Sequence, residues 1–597
     1  MKLGPSLVLI ALLSAPLFAV DAPKKNPPDI YLITIDTLRS DHVHCYGYEK
    51  IATPAMDALA NSGIRFSQAF TASPITNTSH TTILTGLLPS SHGVTDFGIP
   101  LAASHPTIAE LLAQHSYHTA AFIGAVILDS KSLAPGLDRG FEFYDNFPEH
   151  AATKERWGRV ERRGGDVVKR AEAWMTAHPR GPHFVWVHLY DPHDPYEPPP
   201  PYSTTYKDRL YDGEIAYADS ALANFIAYLK ARSWYENSVV IVVGDHGEGL
   251  GEHHEDTHGI FLYDSTIHVP LIVKLPGSAQ ATKVVDAQVR TTDILPTVLD
   301  LTGTPPPPHL DGETLKPYFS GPDASDRVAF GETDYPLRFG WAPLRSVRRD
   351  GSKFIEAPRP ELYDLHADQG ELNNTYAPWN SEVQKSRALL ADLRAKMPPT
   401  APSSATVGQG TLAELRALGY LGQADAGSST AVPEPSLLPD PKDKIEEQNL
   451  LHRAMLASDA GDTAQARTAL QQVLQINPKS ATALRQLGEA ELQQQDYANA
   501  AAHLKAAADQ QPADAIVAYE LGQALVKTGK FEDAQQALEA SLKLAPGQLQ
   551  ARILLGQVYL QLKNPAAAAD QFEAALLVDA NNAEAKTGLA QARAATP

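Results

Sequence analysis

The last quarter of the chain repeats itself with a period of 34 residues. Small residues and prolines recur together at this period, and the small ones let paired helices approach closely while a proline ends a helix. A fixed period in this range is typical of stacked supersecondary units. From about Lys442 onward the sequence therefore predicts an all-α solenoid. The recurring positions are Gly488, Gly522 and Gly556; Ala466, Ala500, Ala534 and Ala568; and Pro478, Pro512 and Pro546.

This pattern resembles the tetratricopeptide repeat, which carries Leu-Gly in its first helix, Ala in its second helix and Pro at its end. Three clear repeats and a weaker first one are enough to stack into a stable solenoid. The segment after Glu584 is predicted to be a capping helix. The concave face of such a solenoid would bind a peptide or another protein, and a spacing or self-associating module is an equal alternative.

Residues 27–400 show a different pattern, in which apolar β-rich runs alternate with helical stretches. Runs that are apolar at every position suit strands buried on both faces. This alternation predicts an α/β domain with a mostly parallel central sheet flanked by helices. A Pro/Ser/Ala-rich linker at residues 401–440 then leads into the repeat domain at residues 441–597.

The first 22 residues carry a lysine followed by an apolar run with small residues near its end. This is the pattern of a secretory signal peptide, with an uncleaved membrane anchor as the alternative. No later segment is apolar enough to span a bilayer, so we expect a periplasmic or secreted protein. The formal net charge of −20 argues against nucleic-acid binding, which needs a basic surface.

Acidic and histidine side chains follow several of the predicted strands, at the edge where open α/β sheets bind ligands. Carboxylate and imidazole groups are ligands for hard and borderline metal ions. A threonine hydroxyl lies between them in the sequence. The set therefore predicts a metal site beside a hydroxyl nucleophile; it consists of Asp36, Thr76, Asp191, His193, Asp245, His246 and His258.

These motifs resemble, in order, those of the sulfatase branch of the alkaline phosphatase superfamily, over about Asp29 to Asn374. The resemblance implies that Asp36, Asp245 and His246 bind one metal ion, with Thr76 completing the site. It also implies a second ion held by Asp191, His193 and His258, or a substrate contact for His193. The motifs are DIYLITIDTLRSDHVHCYGY, VVGDHGEGLGEH, LYDSTIHVPLIV, TTDILPTVLDLTG, DGETL and ELYDLHADQGELNN.

The nucleophile segment departs from that family. Sulfatases carry C/S-x-P-S-R, whose first residue becomes formylglycine, whereas this chain has Thr76-Asn77-Thr78-Ser79-His80. Formylglycine cannot be made from threonine by that route. Thr76 instead resembles the nucleophilic threonine of nucleotide pyrophosphatase/phosphodiesterases and phosphonoacetate hydrolases. Asn77 and His80 are predicted to contact the substrate.

We therefore predict a metal-dependent hydrolase of small phosphate or sulfate esters. Thr76 would form a covalent intermediate, and a phosphorus ester is favoured. One or two divalent ions are expected, with zinc first and manganese or calcium as alternatives. Two other functions stay open: a sulfatase that lacks formylglycine, and a protein-binding scaffold with a degenerate hydrolase domain. If the chain is an enzyme, we expect removal of the residues after about 440 to leave hydrolysis of a small ester intact.

Overall fold

The computed structural model describes residues 27–148, 160–321, 325–396 and 437–595. The predicted signal peptide and most of the predicted linker lie outside these residues. Within the described part of the chain, no helix is both long and apolar enough to cross a membrane.

The N-terminal domain is built on a nine-stranded sheet in the order β4-β3-β5-β1-β6-β7-β2-β8, with β9 also pairing with β2. Most neighbours are parallel, and only the pairs on either side of β7 are antiparallel. This confirms the predicted fold class. The strands are β1 Asp29–Ile35, β2 Ile64–Phe70, β3 His118–Phe122, β4 Phe143–Asp145, β5 His183–Leu189, β6 Ser238–Gly244, β7 His268–Lys274, β8 Lys283–Val285 and β9 Val289–Arg290.

Helices cover both faces of this sheet, which is why its central strands β5 and β6 are buried at every residue. The first, fifth and seventh helices pack on one face, and the second, fourth and ninth pack on the other. The helices of this domain are α1 Pro54–Ser62, α2 Thr76–Thr85, α3 Pro89–His92, α4 Ile108–Ala113, α5 Gly164–Ala177, α6 Tyr202–Thr205, α7 Leu210–Ala231, α8 Asp264–Ile267, α9 Ile294–Thr302 and α10 Ser381–Lys396.

A second, four-stranded antiparallel sheet closes the domain, in the order β10-β11-β12-β13. Helix α10 packs on it through Val383 and Leu390, which form a small core with Phe354. The strands are β10 Ala329–Thr333, β11 Leu344–Arg349, β12 Ser352–Glu356 and β13 Glu361–Asp364.

The repeat domain consists of four antiparallel helix pairs and a final helix that begins at Ala583, close to the predicted cap. A Cβ placed on Gly522 would lie 2.7 Å from the side chain of Leu538 in the paired helix. The small residues therefore allow the close approach that the period predicted. The helices are α11 Ile445–Asp459, α12 Thr463–Ile476, α13 Ala481–Gln493, α14 Tyr497–Gln510, α15 Ala515–Lys527, α16 Phe531–Leu544, α17 Leu549–Gln561, α18 Pro565–Val578 and α19 Ala583–Ala595.

Candidate active site

Two neighbouring parallel strands deliver the central carboxylates. Strand β1 ends one residue before Asp36, and β6 ends one residue before Asp245. Ile35 pairs with Gly244 across the two strands, so both aspartates leave the sheet at the same level. Both side chains are fully buried. The rule that ligands bind beyond the carboxyl ends of parallel strands thus brings two acidic groups together.

Each of these carboxylates has one oxygen held by the protein. Oδ1 of Asp245 accepts from the backbone amides of Thr37 (3.2 Å) and His246 (2.7 Å). Oδ2 of Asp36 is 3.2 Å from Nε2 of His188. The other oxygens, Oδ1 of Asp36 and Oδ2 of Asp245, are buried without a hydrogen-bond partner. Buried acceptors in this state are costly, and a bound cation is one physical reason to keep them.

His246 completes this group of possible metal ligands. Its Nδ1 lies 2.9 Å from the Gly247 carbonyl oxygen, so Nδ1 carries the proton and Nε2 presents a lone pair. Nε2 lies 3.6 Å from Oδ1 of Asp36 and 3.5 Å from Oδ2 of Asp245. A lone pair that faces two carboxylate oxygens fits a cation between them. In the described part of the chain, these three residues form the one group of ligand atoms close enough to share an ion.

The pKa values of this group reflect its burial. Burial, followed by the charge of Glu248, raises the pKa of Asp36 well above its usual range. Burial and the neighbouring Asp36 do the same for Asp245. Burial lowers the pKa of His246 well below its usual range, which keeps the imidazole neutral. Without a cation, two buried carboxylates at this distance resist ionising together.

His188 is a supporting residue that sequence reasoning missed. It lies on β5 and is fully buried. Its Nδ1 accepts from the amide of Gly124 (3.2 Å), so its Nε2 is the donor to Oδ2 of Asp36. This hydrogen bond orients Asp36 with Oδ1 toward the metal group, as outer ligands commonly do. The one sequence signal for His188 is that it is a polar residue within the apolar run of β5 (HFVWVHL).

Thr76 lies beside the same group. It is the first residue of α2, is fully buried, and places Oγ1 3.2 Å from Nε2 of His246. Ile75 precedes it and has no polar side chain to cap the first turn of the helix. The positive end of a helix dipole favours anionic ligands. The structure thus brings Asp36, Thr76, Asp245 and His246 together as predicted, and adds a favourable electrostatic setting.

The two residues predicted to contact substrate are buried next to Thr76. Nδ2 of Asn77 donates to the Asp96 carbonyl oxygen (3.0 Å), and its Oδ1 is buried without a hydrogen-bond partner. His80 is fully buried, with Nδ1 2.7 Å from the carbonyl oxygen of Thr76 and Nε2 2.9 Å from Oγ1 of Thr34. Both nitrogens of His80 thus contact the protein, and the substrate contacts of Asn77 and His80 stay predictions.

Asp191, predicted to be a ligand of the second ion, accepts hydrogen bonds from two protein donors, and its role as a ligand stays a prediction. Its Oδ1 accepts from Arg163 (3.0 Å), and its Oδ2 accepts from the amide of Gly164 at the start of α5 (2.8 Å). Both oxygens are thus used by protein donors. The N-terminus of helix α5 attracts the Asp191 carboxylate, because the first amide of the helix donates to it and the helix dipole is positive at that end.

His193 and His258 lie next to each other at the side of the metal group. Their ring centroids are 5.1 Å apart, and the ring of His258 lies 4.5 Å from that of His246. Nδ1 of His258 pairs with Oε1 of Glu248 at 3.0 Å, a buried partner that sequence reasoning missed. Nδ1 of His193 bonds to the Asp194 carbonyl oxygen (2.6 Å). The role of Asp191, His193 and His258 as ligands of a second ion stays a prediction.

His193, His258 and Glu248 together form one wall of the site. The glycines between Asp245 and His258 allow the backbone of this wall to pack closely. A Cβ on Gly247 would lie 2.0 Å from the carbonyl oxygen of Ser265, and a Cβ on Gly249 would lie 2.3 Å from that of Thr257. Any side chain at either position would collide with backbone. The glycine crowding therefore reflects close backbone approach, as the sequence indicated.

Comparison with known proteins assigns both parts of the chain. A family model described as Sulfatase matches residues 28–304, and one described as N-sulphoglucosamine sulphohydrolase, C-terminal, matches residues 251–397. Models of the tetratricopeptide repeat match residues 451–515, 519–585 and 491–543. The N-terminal domain is thus an alkaline phosphatase-like hydrolase domain. More narrowly, the chain carries a sulfatase domain followed by C-terminal tetratricopeptide repeats.

Characterised relatives give the same assignment. The chain is 24% identical over 455 residues to an arylsulfatase of Clostridium perfringens, which covers 60% of this chain and 92% of the relative. It is 22% identical to an N-acetylglucosamine-6-O-sulfatase of Bacteroides thetaiotaomicron, covering 66% and 90% respectively. Among solved structures, the phosphonate monoester hydrolase of Agrobacterium radiobacter superposes with a TM-score of 0.52 at 23% identity, covering 62% of this chain and 96% of that one. At this identity, the structural likeness shows the fold.

Proposed function

We propose that the N-terminal domain is a metal-dependent hydrolase of small anionic phosphorus esters in which Thr76 is the nucleophile. The observation that carries the proposal is the position of Oγ1 of Thr76, 3.2 Å from Nε2 of His246 and beside two buried carboxylate oxygens that have no hydrogen bond. A hydroxyl held at such a group, at the start of a helix, is placed to attack an anionic centre.

The residues fit a divalent ion with mixed oxygen and nitrogen ligands. Asp36, Asp245 and His246 would hold it, and Thr76 would complete the set. Two carboxylates and one imidazole suit zinc or manganese. When bound, the ion would lower the pKa of the Thr76 hydroxyl and offset the charge that builds up on the transferred group. Among the residues that the structure describes, one such group of ligands is assembled, so a single ion is the simpler proposal.

The chain's own residues then define a two-step reaction. Oγ1 of Thr76 bonds to phosphorus as the bond to the leaving alcohol breaks; the hydroxyl proton is released and the leaving oxygen takes up a proton. Water then bonds to phosphorus, the bond to Oγ1 breaks, and Thr76 regains its proton. The N-terminus of α2 favours the anionic group throughout. His188 holds Asp36, and the pair His258–Glu248 forms the adjacent wall.

Hydrolysis of a sulfate ester is the second candidate. The observation that favours it is the number of sulfatases among the relatives, including the arylsulfatase and the N-acetylglucosamine-6-O-sulfatase. Thr76 at the nucleophile position, which cannot become formylglycine, favours phosphorus. We also propose export to the periplasm or the outside, which rests on the sequence of residues 1–22.

The test is turnover of matched p-nitrophenyl esters: a phosphate monoester, a phosphodiester, a phosphonate monoester and a sulfate, each with zinc, manganese or calcium. We expect a phosphorus ester to react fastest. Thr76→Ala should lower kcat more than about a thousandfold, as loss of a nucleophile does, and Thr76→Ser should keep measurable activity. A sulfate that reacts fastest would select the second candidate, and full activity in Thr76→Ala would exclude threonine as the nucleophile.

A further inference from the structure

The first helix of the repeat domain packs against the hydrolase domain. Ile445, Gln448, Asn449 and His452 recur at helical spacing and therefore share one face of α11. Ile445 joins the core of the hydrolase domain. The three polar residues are all less than a tenth exposed. Polar groups buried to this degree need hydrogen-bond partners, and here the partners come from the hydrolase domain.

Two of these residues hold the backbone that leads to His258. Nδ2 of Asn449 donates to the carbonyl oxygen of His254 (2.7 Å), and its Oδ1 accepts from the amide of Asp256 (3.3 Å). Nε2 of Gln448 donates to Oγ1 of Thr257 (3.4 Å). One amide side chain thus fixes both a donor and an acceptor of this segment, and a second one reaches the residue before His258.

His452 reaches the segment that carries the other histidine of the wall. Its Nε2 lies 2.9 Å from Oδ2 of Asp194, and both side chains are nearly buried. Asp194 follows His193 directly and accepts a hydrogen bond from its Nδ1 through the backbone carbonyl oxygen. The contact between His452 and Asp194 therefore restrains the backbone on which His193 stands.

We propose that helix α11 of the repeat domain forms an outer layer of the active site. His452 is a positioning residue that holds the segment of His193 in place through Asp194, and Asn449 and Gln448 hold the segment before His258. This proposal rests on the proposed function, because it assigns His193 and His258 to the wall around the reacting group. It replaces the expectation that the repeats can be removed without effect on small esters. Their first helix is part of the structure that shapes the site.

The test compares three variants of the full-length protein. His452→Leu removes the contact with Asp194, and His452→Gln keeps a donor. His503→Leu is the matched control, because His503 forms an equivalent pair with Glu491 at 2.8 Å inside the repeat domain. A small misplacement of active-site groups by a distant substitution can cost up to about 100-fold in rate. We expect kcat of His452→Leu to fall by about tenfold with KM within about twofold, and His452→Gln to recover part of the loss.

His503→Leu should behave as wild type. Wild-type kcat and KM in His452→Leu, or an equal loss in His503→Leu, would overturn the proposal. A wild-type protein inactive on every ester would instead contradict the proposed function. In that case amide hydrogen exchange of residues 191–196 decides the positioning role of His452. Faster exchange in His452→Leu than in wild type and His503→Leu supports it, and unchanged exchange refutes it.

Discussion

The repeat domain and the strand edge that carries Asp36 and Asp245 differ in the interactions within them. In the repeats, the cores between paired helices are apolar: Gly522 lies against Leu538, and Ala534 is fully buried. At the strand edge, two carboxylates are buried side by side, and each keeps an oxygen without a hydrogen bond. The repeats gain stability from each contact, whereas the strand edge holds groups that repel each other unless a cation separates them. Such local cost marks a functional site.

The largest expected effect is on thermal stability and its response to metal, when one of the two carboxylates is neutralised. In metal-free protein, Asp36→Asn should raise the melting temperature, because it removes the repulsion between Asp36 and Asp245. The same variant should lose stabilisation by added zinc or manganese, which for wild type would reach about 4 kcal/mol at a thousand times Kd. Thermal unfolding with and without the ion measures both.

Asp219→Asn is the matched control for this variant. Asp219 is also buried, but its oxygens accept from the amides of Ala55 and Met56 at the start of α1, away from the metal group. It should keep the full response to metal. If neither zinc nor manganese changes the melting temperature of the wild-type protein, the claim that a cation separates Asp36 and Asp245 is wrong.

A second prediction concerns the support behind the carboxylate. His188→Leu should weaken metal affinity by about 10- to 100-fold, because Asp36 loses its orienting hydrogen bond. His183 offers a control on the same strand: it is buried at the other end of β5 and pairs with Asp29. Titration of the ion into each variant compares them. Equal affinity in His188→Leu and His183→Leu would show that His188 has no specific role.

The third and smallest effect is expected in the repeats. Gly522→Ala would place Cβ 2.7 Å from the side chain of Leu538 and force helices α15 and α16 apart. Overpacking of this kind costs about 1–3 kcal/mol. Because repeat stability depends on nearest neighbours, kcat should stay unchanged. Denaturant unfolding measures the loss of stability, and an ester assay measures kcat. A large loss of kcat would mean that strain passes from the third repeat to the site.

The parts of the molecule that follow a period or a strand end were predictable from sequence. The 34-residue spacing predicted helix pairs, and glycines at that spacing do contact the paired helix. The apolar runs predicted the buried parallel strands, and the residues after them predicted that Asp36 and Asp245 meet at one edge. These features depend on local pattern and on rules that apply to every sheet of this kind.

The polar contacts of Asp191 and His80 depend on partners that are remote in sequence, so the sequence pattern could not predict them. Asp191 follows β5 as Asp36 follows β1, yet Arg163 and the start of α5 capture its carboxylate. His80 lies one turn after Thr76 and turns inward to Thr34 on β1. A strand end predicts where a side chain leaves the sheet, but the direction of its polar atoms is set by neighbours that the pattern does not contain. The contact of His452 with Asp194 joins two domains and had no signal in either.

The most direct test of a threonine nucleophile is the stereochemical course at phosphorus. The measurement is hydrolysis of an isotopically chiral phosphate ester in labelled water, with the configuration of the product read by NMR. Attack by Thr76 followed by attack of water inverts phosphorus twice, so the account predicts net retention in the wild-type protein. Net inversion would mean that water attacks the substrate directly, and it would contradict a covalent intermediate on Thr76.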